Sequence, residues 1–270
     1  MVSRAGLWGH LVGARLAGVV GTSREVSLRS YRLFAAGDPR VVLGVGPQGV
    51  WAVDEVVALM GERCGGGRDL RGEGEGFIDP WLTLRGLDAF GERVGAVAQR
   101  RGAVLIGTGH PHRLLGFYAG LADALSAAGC AVLTPAYGRC VDITTRFGLR
   151  TYNLAYVRGV GFLREAGGAR TGCATGVHAH SPLPVRVALA AAAEGGGPLP
   201  ELVIGDHGWV CGAGQLGFEA IGLADVDDPA LFVGEAEGVV SVVVPVDDAV
   251  RSDYYRPLTR YVLNRACLSQ

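Results

Sequence analysis

The chain has 270 residues, 49% of them hydrophobic and 19% charged, with 25 basic and 26 acidic side chains and a formal net charge of -1. That length can bury a full core, as one large domain or two small ones, and the charge balance leaves no long-range field to hold nucleic acid or an anionic membrane surface. Every basic residue is arginine, which excludes chemistry that needs a lysine ammonium group: Schiff bases, the pyridoxal-phosphate (PLP) linkage and a P-loop nucleotide site.

The first hundred residues read as mostly helical. The apolar run GLWGHLVGARLAGVVG contains His10 and Arg15, is too short to span a bilayer and lacks a signal-type cleavage site, so it reads as a helix of a cytoplasmic protein. Thr22-Ser23-Arg24-Glu25 has capping-box spacing ahead of VSLRSYRLFAAG, and Asp79-Pro80 supplies an N-cap and first-turn proline for a helix running to about Gly102. Between them GERCGGGRDLRGEGEGF is a glycine-rich, charged surface loop, and VVLGV after Pro39 is ambiguous. Residues 1–102 are thus expected to form a helical N-terminal region packed on a core domain of residues 103–270.

From residue 103 short apolar runs alternate with helical patterns, as in a parallel sheet covered on both faces. Strands are predicted for AVLIG at 103–107, AVLTP at 131–135, ELVIG, AIGLAD and VSVVVPV. Helices are predicted for RLLGFYAGLADALSAAG, PLPVRVALAAAAEG, CGAGQLGFEA, VDDPALFVGEAEG and PLTRYVLNRACL. The expected fold class is α/β, a Rossmann-like, doubly wound and mainly parallel sheet, with an insertion at about 136–177 that forms a hairpin or cap at the presumed binding edge. Cys64, Cys130, Cys140, Cys173, Cys211 and Cys267 include no C-x-x-C pair and read as reduced thiols.

Five of the six histidines fall into three clusters: His110 and His112 in GTGHPH, His178 and His180 in GVHAHSP, and His207 in VIGDHGWVCG. Histidine titrates near neutral pH, binds borderline metals and carries protons or phosphoryl groups, so convergence of these segments would build a polar site at one sheet edge. GTGHPHR joins a strand to a helix. Gly107, Thr108 and Gly109 could bring backbone N–H groups to an anion at the helix N-terminus, with Arg113 adding a charge-assisted contact. A plain glycine turn with surface histidines is the alternative.

His178 and His180, two apart, would project the same way from an extended segment and offer two ligands to one ion, with Ser181 as a helix cap; a polar loop is the alternative. Asp206 and His207 follow a strand end, where open parallel sheets bind ligands, and suit metal ligation or the orienting of an imidazole. Asp228 and Asp248 read as helix caps, Asp228 because it precedes a proline, while Asp225 is the better outside candidate for the site. Arg139, Cys140 and Asp142 line the same expected edge.

The HAHS string is similar to the opening motif of the polymerase-and-histidinol-phosphatase superfamily, but that family's later ligand motifs are not found. The VIGDHGWVCGAGQLGFEAIGLAD segment resembles the fourth motif of haloacid-dehalogenase-type phosphatases over about twenty residues. It departs from it at Val210 and Cys211, and no nucleophile motif follows any strand, so an aspartyl-phosphate mechanism is not supported. Across GTGHPHRLLGFYAGLADALSAAGC, GRCVDITTRFGLRTYNL, HSPLPVR and GDHGWVCGAGQLGF the chain resembles a bacterial family labelled phosphatase, which implies phosphomonoester hydrolysis.

The residues are compatible with that implication, since removing a phosphate needs an anion site, arginines and convergent imidazoles. The expected substrate is a small phosphorylated metabolite, held by Gly107, Thr108, Gly109, Arg113, Arg139 and Ser181. His110, Asp206 and His207 are the catalytic candidates, and His112, His178, His180, Asp206 and His207 are candidate ligands of a divalent Zn, Mn or Mg ion. A covalent phosphohistidine at His110, a non-catalytic nucleotide or sugar-phosphate binder and another metal-dependent hydrolase or lyase are the alternatives. No nucleic-acid or membrane partner is expected, and homo-oligomerisation is left open.

Overall fold

In the computed structural model, residues 3–66, 72–145, 148–166 and 176–268 are described. The N-terminal stretch forms α1 (Arg4–Gly13), β1 (Gly18–Ser23), α2 (Arg24–Ala35), the single turn α3 (Pro39–Val42), α4 (Val53–Cys64), β2 (Glu75–Ile78) and α5 (Pro80–Arg100). The apolar run at 6–21 is therefore not one helix. It breaks after Gly13 at two left-handed residues, Arg15 and Gly18, and its second half pairs with β2 as an antiparallel two-stranded sheet with Val19 opposite Phe77. The capping signal at 22–25 is real but shifted by one: Ser23, not Thr22, caps α2, and the Thr22 hydroxyl instead donates to Asp225 at 2.5 Å. Asp79 caps α5 as its Asp-Pro sequence requires, accepting from Trp81 N–H at 2.8 Å.

The rest of the chain forms β3 (Ala103–Gly107), α6 (Pro111–Ala127), β4 (Ala131–Leu133), β5 (Cys140–Thr145), β6 (Gly148–Val157), β7 (Val160–Glu165), β8 (Gly176–Val177), α7 (Leu183–Glu194), β9 (Leu202–Asp206), α8 (His207–Gln215), β10 (Ala220–Ala224), α9 (Pro229–Ala236), β11 (Val242–Pro245) and α10 (Arg256–Arg265). The main sheet runs β11-β10-β9-β3-β7-β6-β5. Its first four strands are parallel, with Leu105 opposite Val203, Ile204 opposite Ile221 and Gly222 opposite Val243. Every residue in these four strands is buried, the pattern of strands covered on both faces. One helical layer contains α5, α6 and α10 and the other α7, α8 and α9, with α2 and α4 packed outside α9.

On the far side, β4 and β7 are both parallel to β3, and the strands beyond β7 are antiparallel. β4 pairs with the first half of β3 and β7 with its last two residues, and β7, β6 and β5 then zigzag outward, Leu154 lying opposite Leu163 and Asp142 opposite Thr151. Residues 140–145 and 148–165 therefore extend the sheet rather than sit across its end. Cys173 lies outside the described residues; Cys64, Cys130, Cys140, Cys211 and Cys267 are free thiols. Among the described residues no helix is long and apolar enough to cross a membrane.

Candidate active site

The parallel strands end along one edge, and the segments leaving β3, β9, β10 and β11 there carry most of the molecule's buried polar side chains. At the centre is the turn from β9 into α8. His207 takes a left-handed backbone conformation (φ 45°), unusual for a side-chain-bearing residue, as the chain reverses from strand to helix. The turn is held from below: Asp206 Oδ1 accepts from Gly109 N–H at 2.6 Å and from His207 Nδ1 at 2.9 Å, while Asp206 Oδ2 accepts from the Thr108 hydroxyl at 2.6 Å. Because a carboxylate only accepts, the proton on that side of the ring sits on Nδ1, and His207 Nε2 faces the site.

Three more imidazoles gather around it. His110, the N-cap residue of α6, stacks on His178 with ring centroids 3.8 Å apart and meets His207 edge-on at 4.6 Å. His180 lies 4.5 Å from His207 and 4.7 Å from His178 by centroid. The Arg40 carbonyl accepts from His180 Nδ1 at 3.2 Å, which turns His180 Nε2 inward, 2.9 Å from His178 Nε2. Two glycines make this convergence possible. A Cβ on Gly109 would fall 2.4 Å from Ala179 O, and one on Gly208 would fall 2.4 Å from Ser181 O and 2.5 Å from His180 O, so only glycine lets the 178–181 segment lie against both turns.

The loops after β10 and β11 close the group with carboxylates. Asp228 Oδ2 is 3.2 Å from His207 Nε2, and Asp248 Oδ2 is 3.0 Å from His110 Nδ1 and 3.7 Å from His207 Nε2. His110 Nδ1 and Asp248 Oδ2 are buried and, although close, are not aligned as donor and acceptor; neither has a hydrogen-bond partner among the described residues. The helix-cap reading of Asp228 and Asp248 is thereby corrected. Asp228 occupies the N-cap position of α9 but its side chain makes no capping bond, and Asp248 faces the imidazoles. Asp247 is the residue that ties the loop together, accepting from Gly21 and Ala249 N–H, both at 2.9 Å.

Charge in this group is unevenly shared. For His207, burial opposes protonation, but Asp228 and Asp206 outweigh it and hold the ring's pKa well above its ordinary value; Asp206 and Asp228 are held low in turn, burial notwithstanding, chiefly by His207. Desolvation, then the neighbouring imidazoles, hold His178 down to about 3 and His180 down to about 4, so both are neutral at pH 7. Burial, then nearby carboxylates, push Asp225 well up and Asp227 up to about 7. The centre thus combines two neutral imidazoles, a protonated His207 and crowded carboxylates.

The family model described as Phosphatase matches residues 2–270. The chain belongs to the Phosphatase family. It is also similar to Phosphatase SCO2771 of Streptomyces coelicolor (strain ATCC BAA-471 / A3(2) / M145), 39% identical over 269 residues, a span that covers 98% of this chain and 97% of that protein.

Not every residue singled out in this Phosphatase-family chain reaches the centre. His112 and Arg113 are exposed on the first turn of α6, and His112 takes no part in the ring contacts of the other four. Arg139 pairs with Glu194 at the surface at 2.9 Å, Cys140 is exposed, and Ser181 Oγ accepts from Leu183 N–H at 3.2 Å. The expected anion cradle is filled by the protein itself: the N–H groups of Thr108, Gly109 and His110 donate to Gly161 O, Asp206 Oδ1 and Thr108 Oγ1. Gly107 is required for packing, since a Cβ there would lie 2.2 Å from the Trp209 ring. Both Asp206 oxygens are engaged and the residue is 0% exposed, so it orients His207 instead of reaching an ion. The sixth histidine, His10, is remote from the cluster and contacts Tyr254 O at 2.8 Å.

Beside the imidazoles opens a cleft of about 1090 Å³, bounded by Asp38–Arg40, by residues 142–145 and Tyr152 of the β5-β6 hairpin, and by residues 177–183. His178 and His180 form part of its wall, so whatever enters meets the histidine centre from this side.

Proposed function

We propose that the chain is a metal-assisted phosphomonoester hydrolase whose reaction centre is the His110, His178, His180 and His207 group with Asp228 and Asp248. The observation that carries this reading is the facing pair His110 Nδ1 and Asp248 Oδ2, buried, 3.0 Å apart and without hydrogen-bond partners among the described residues. Two ligands at the usual 2.0–2.2 Å from one ion lie about 3.0–3.4 Å apart. The His207–Asp228 spacing of 3.2 Å and the His178–His180 spacing of 2.9 Å are close to the same value. Donor atoms in two sets, His110, His178 and His207, and His180, His207 and Asp228, lie within 4.8 Å of one another, and His207 belongs to both.

A divalent cation held by these imidazoles and carboxylates would polarise the phosphoryl oxygens and acidify water. The remaining work falls to the chain. Asp206 fixes the tautomer and direction of His207, as partners behind a metal-ligating histidine do. The Arg40 carbonyl does the same for His180. The positive end of the α6 dipole meets the cluster at His110, where it favours a phosphate dianion. His178 and His180, both neutral, keep an unprotonated ring nitrogen available to the cation.

Hydrolysis of p-nitrophenyl phosphate by wild type, His110→Gln and His178→Gln tests the assignment. Both variants are expected to lose about 10²-fold or more in kcat with circular dichroism unchanged. Wild-type rates in both would remove the reaction from this cluster.

A further inference from the structure

This inference rests on the reading above, in which the phosphate group is bound at the histidine centre, and concerns what the rest of the substrate must be. A phosphate and a three-carbon backbone would leave most of a cleft of about 1090 Å³ empty, because cavities near that size take ligands of drug-like bulk. The wall is lined by Pro39, Ile143, Tyr152, Val177, Pro182 and Leu183, so most of it is apolar.

The polar groups on the same wall are largely engaged with the protein. Arg40 forms a two-pronged pair with Asp38, Nε to Oδ1 at 2.9 Å and a terminal nitrogen to Oδ2 at 2.5 Å. Asp142 Oδ1 accepts from the Thr151 hydroxyl at 2.6 Å, the Thr145 hydroxyl donates to Gly148 O at 2.9 Å, and Ser181 Oγ accepts from Leu183 N–H. Among the described lining residues the one guanidinium, Arg40, is already paired with Asp38 and Asp142 adds a second carboxylate, so a second phosphate or a carboxylate on the substrate would find no unopposed positive charge. A polyhydroxylated chain would give up its water for few free partners.

We propose that the substrate is the phosphate monoester of a bulky, mainly apolar alcohol bearing no second anionic group, its apolar body lying between α3 and the β5-β6 hairpin while its phosphate is bound at the histidine centre. Compact sugar phosphates, bisphosphates and nucleoside polyphosphates fit this cleft poorly. Leu183, at the mouth of α7, and Ile143, on the hairpin, are the specificity-determining side chains, since a charge at either would sit against the apolar body.

The test uses the full chain and two readouts. The first is kcat/KM for 1-naphthyl phosphate and n-octyl phosphate against glycerol 3-phosphate, glucose 6-phosphate and fructose 1,6-bisphosphate. The second is calorimetric binding of n-octylphosphonate against methylphosphonate, which needs no turnover. The apolar esters are expected to be preferred by about tenfold or more, Leu183→Asp to cut that preference by a similar factor without loss of thermal stability, and Ile143→Asp to cut it with circular dichroism unchanged.

A preference for the sugar phosphates or the bisphosphate overturns the substrate class while leaving the hydrolase reading intact. Tighter binding of octylphosphonate with no hydrolysis of any ester, lost in Leu183→Asp, upholds the apolar site and overturns the hydrolase reading. Equal or absent binding of the two phosphonates overturns the inference.

Discussion

His110 Nδ1 and Asp248 Oδ2 face each other 3.0 Å apart in a buried site with no hydrogen bond between them. Two such atoms left in that state are costly, and a shared cation satisfies both. Zinc or manganese at a hundredfold excess over its dissociation constant should stabilise the fold by about 2.7 kcal/mol, and Asp248→Ala should abolish the response. Without metal, the same substitution also removes a charge that crowds Asp225 and Asp227, so metal-free Asp248→Ala should be no less stable than metal-free wild type. Differential scanning fluorimetry with and without each ion reads both effects.

Asp206 serves three donors with two oxygens, and an asparagine there can accept with only one of its two terminal atoms. Asp206→Asn should therefore release His207 from its tautomer and weaken metal binding by about 10–100-fold. Competition against a chromophoric chelator measures the affinity, and an unchanged value would mean that His207 is not a ligand.

Gly208 allows residues 180 and 181 to press against the β9–α8 turn. Gly208→Ala should shift His180 away from His207 and cost about 1–3 kcal/mol, with a matching fall in activity. Gly116 is a useful contrast, an α6 position where a Cβ meets nothing within 4 Å. Gly116→Ala should add about 0.5–1 kcal/mol and leave the rate alone. Chemical denaturation and rate assays on the pair separate close packing from general tolerance of alanine.

The imidazoles should titrate in opposite directions. In metal-free protein at pH 7, His207 should still carry its second proton while His178 and His180 are neutral, which histidine side-chain nitrogen NMR resolves directly. Their linkage to folding also has opposite signs. His178 and His180 exclude a proton that the unfolded chain takes up below about pH 6.5, so the stability they support is whole above that pH and falls away toward their folded values of about 3 and about 4. His207 binds its proton more tightly folded than unfolded. Its contribution is fully present below about pH 6.5 and is lost only as pH rises through its elevated folded value.

The parallel strands were legible because a strand buried on both faces must be a short, continuous apolar run, as AVLIG, LVIGD and AIGLA are. His110, His178, His180 and His207 were legible because reactive side chains sat next to strands, and those four rings converge, while His112 stays at the surface. Asp228 and Asp248 were not, because an aspartate at a helix start is usually a cap, and only the tertiary approach of His207 and His110 shows otherwise. The glycines of GTGHPH misled in the same way: their role is to admit Ala179 and the Trp209 ring, contacts from distant parts of the chain. Nor could local pattern show that Arg40, just before the ambiguous VVLGV run, would hold His180 from 140 residues away.

The most direct measurement strips the protein with a chelator, assays phosphomonoester hydrolysis, and restores one divalent ion at a time while counting bound metal per chain. The account predicts that activity vanishes with the ion and returns in proportion to occupancy, and that His110→Gln, which removes a ligand, binds the ion weakly and stays inactive. Full hydrolysis by the stripped, metal-free protein would contradict it.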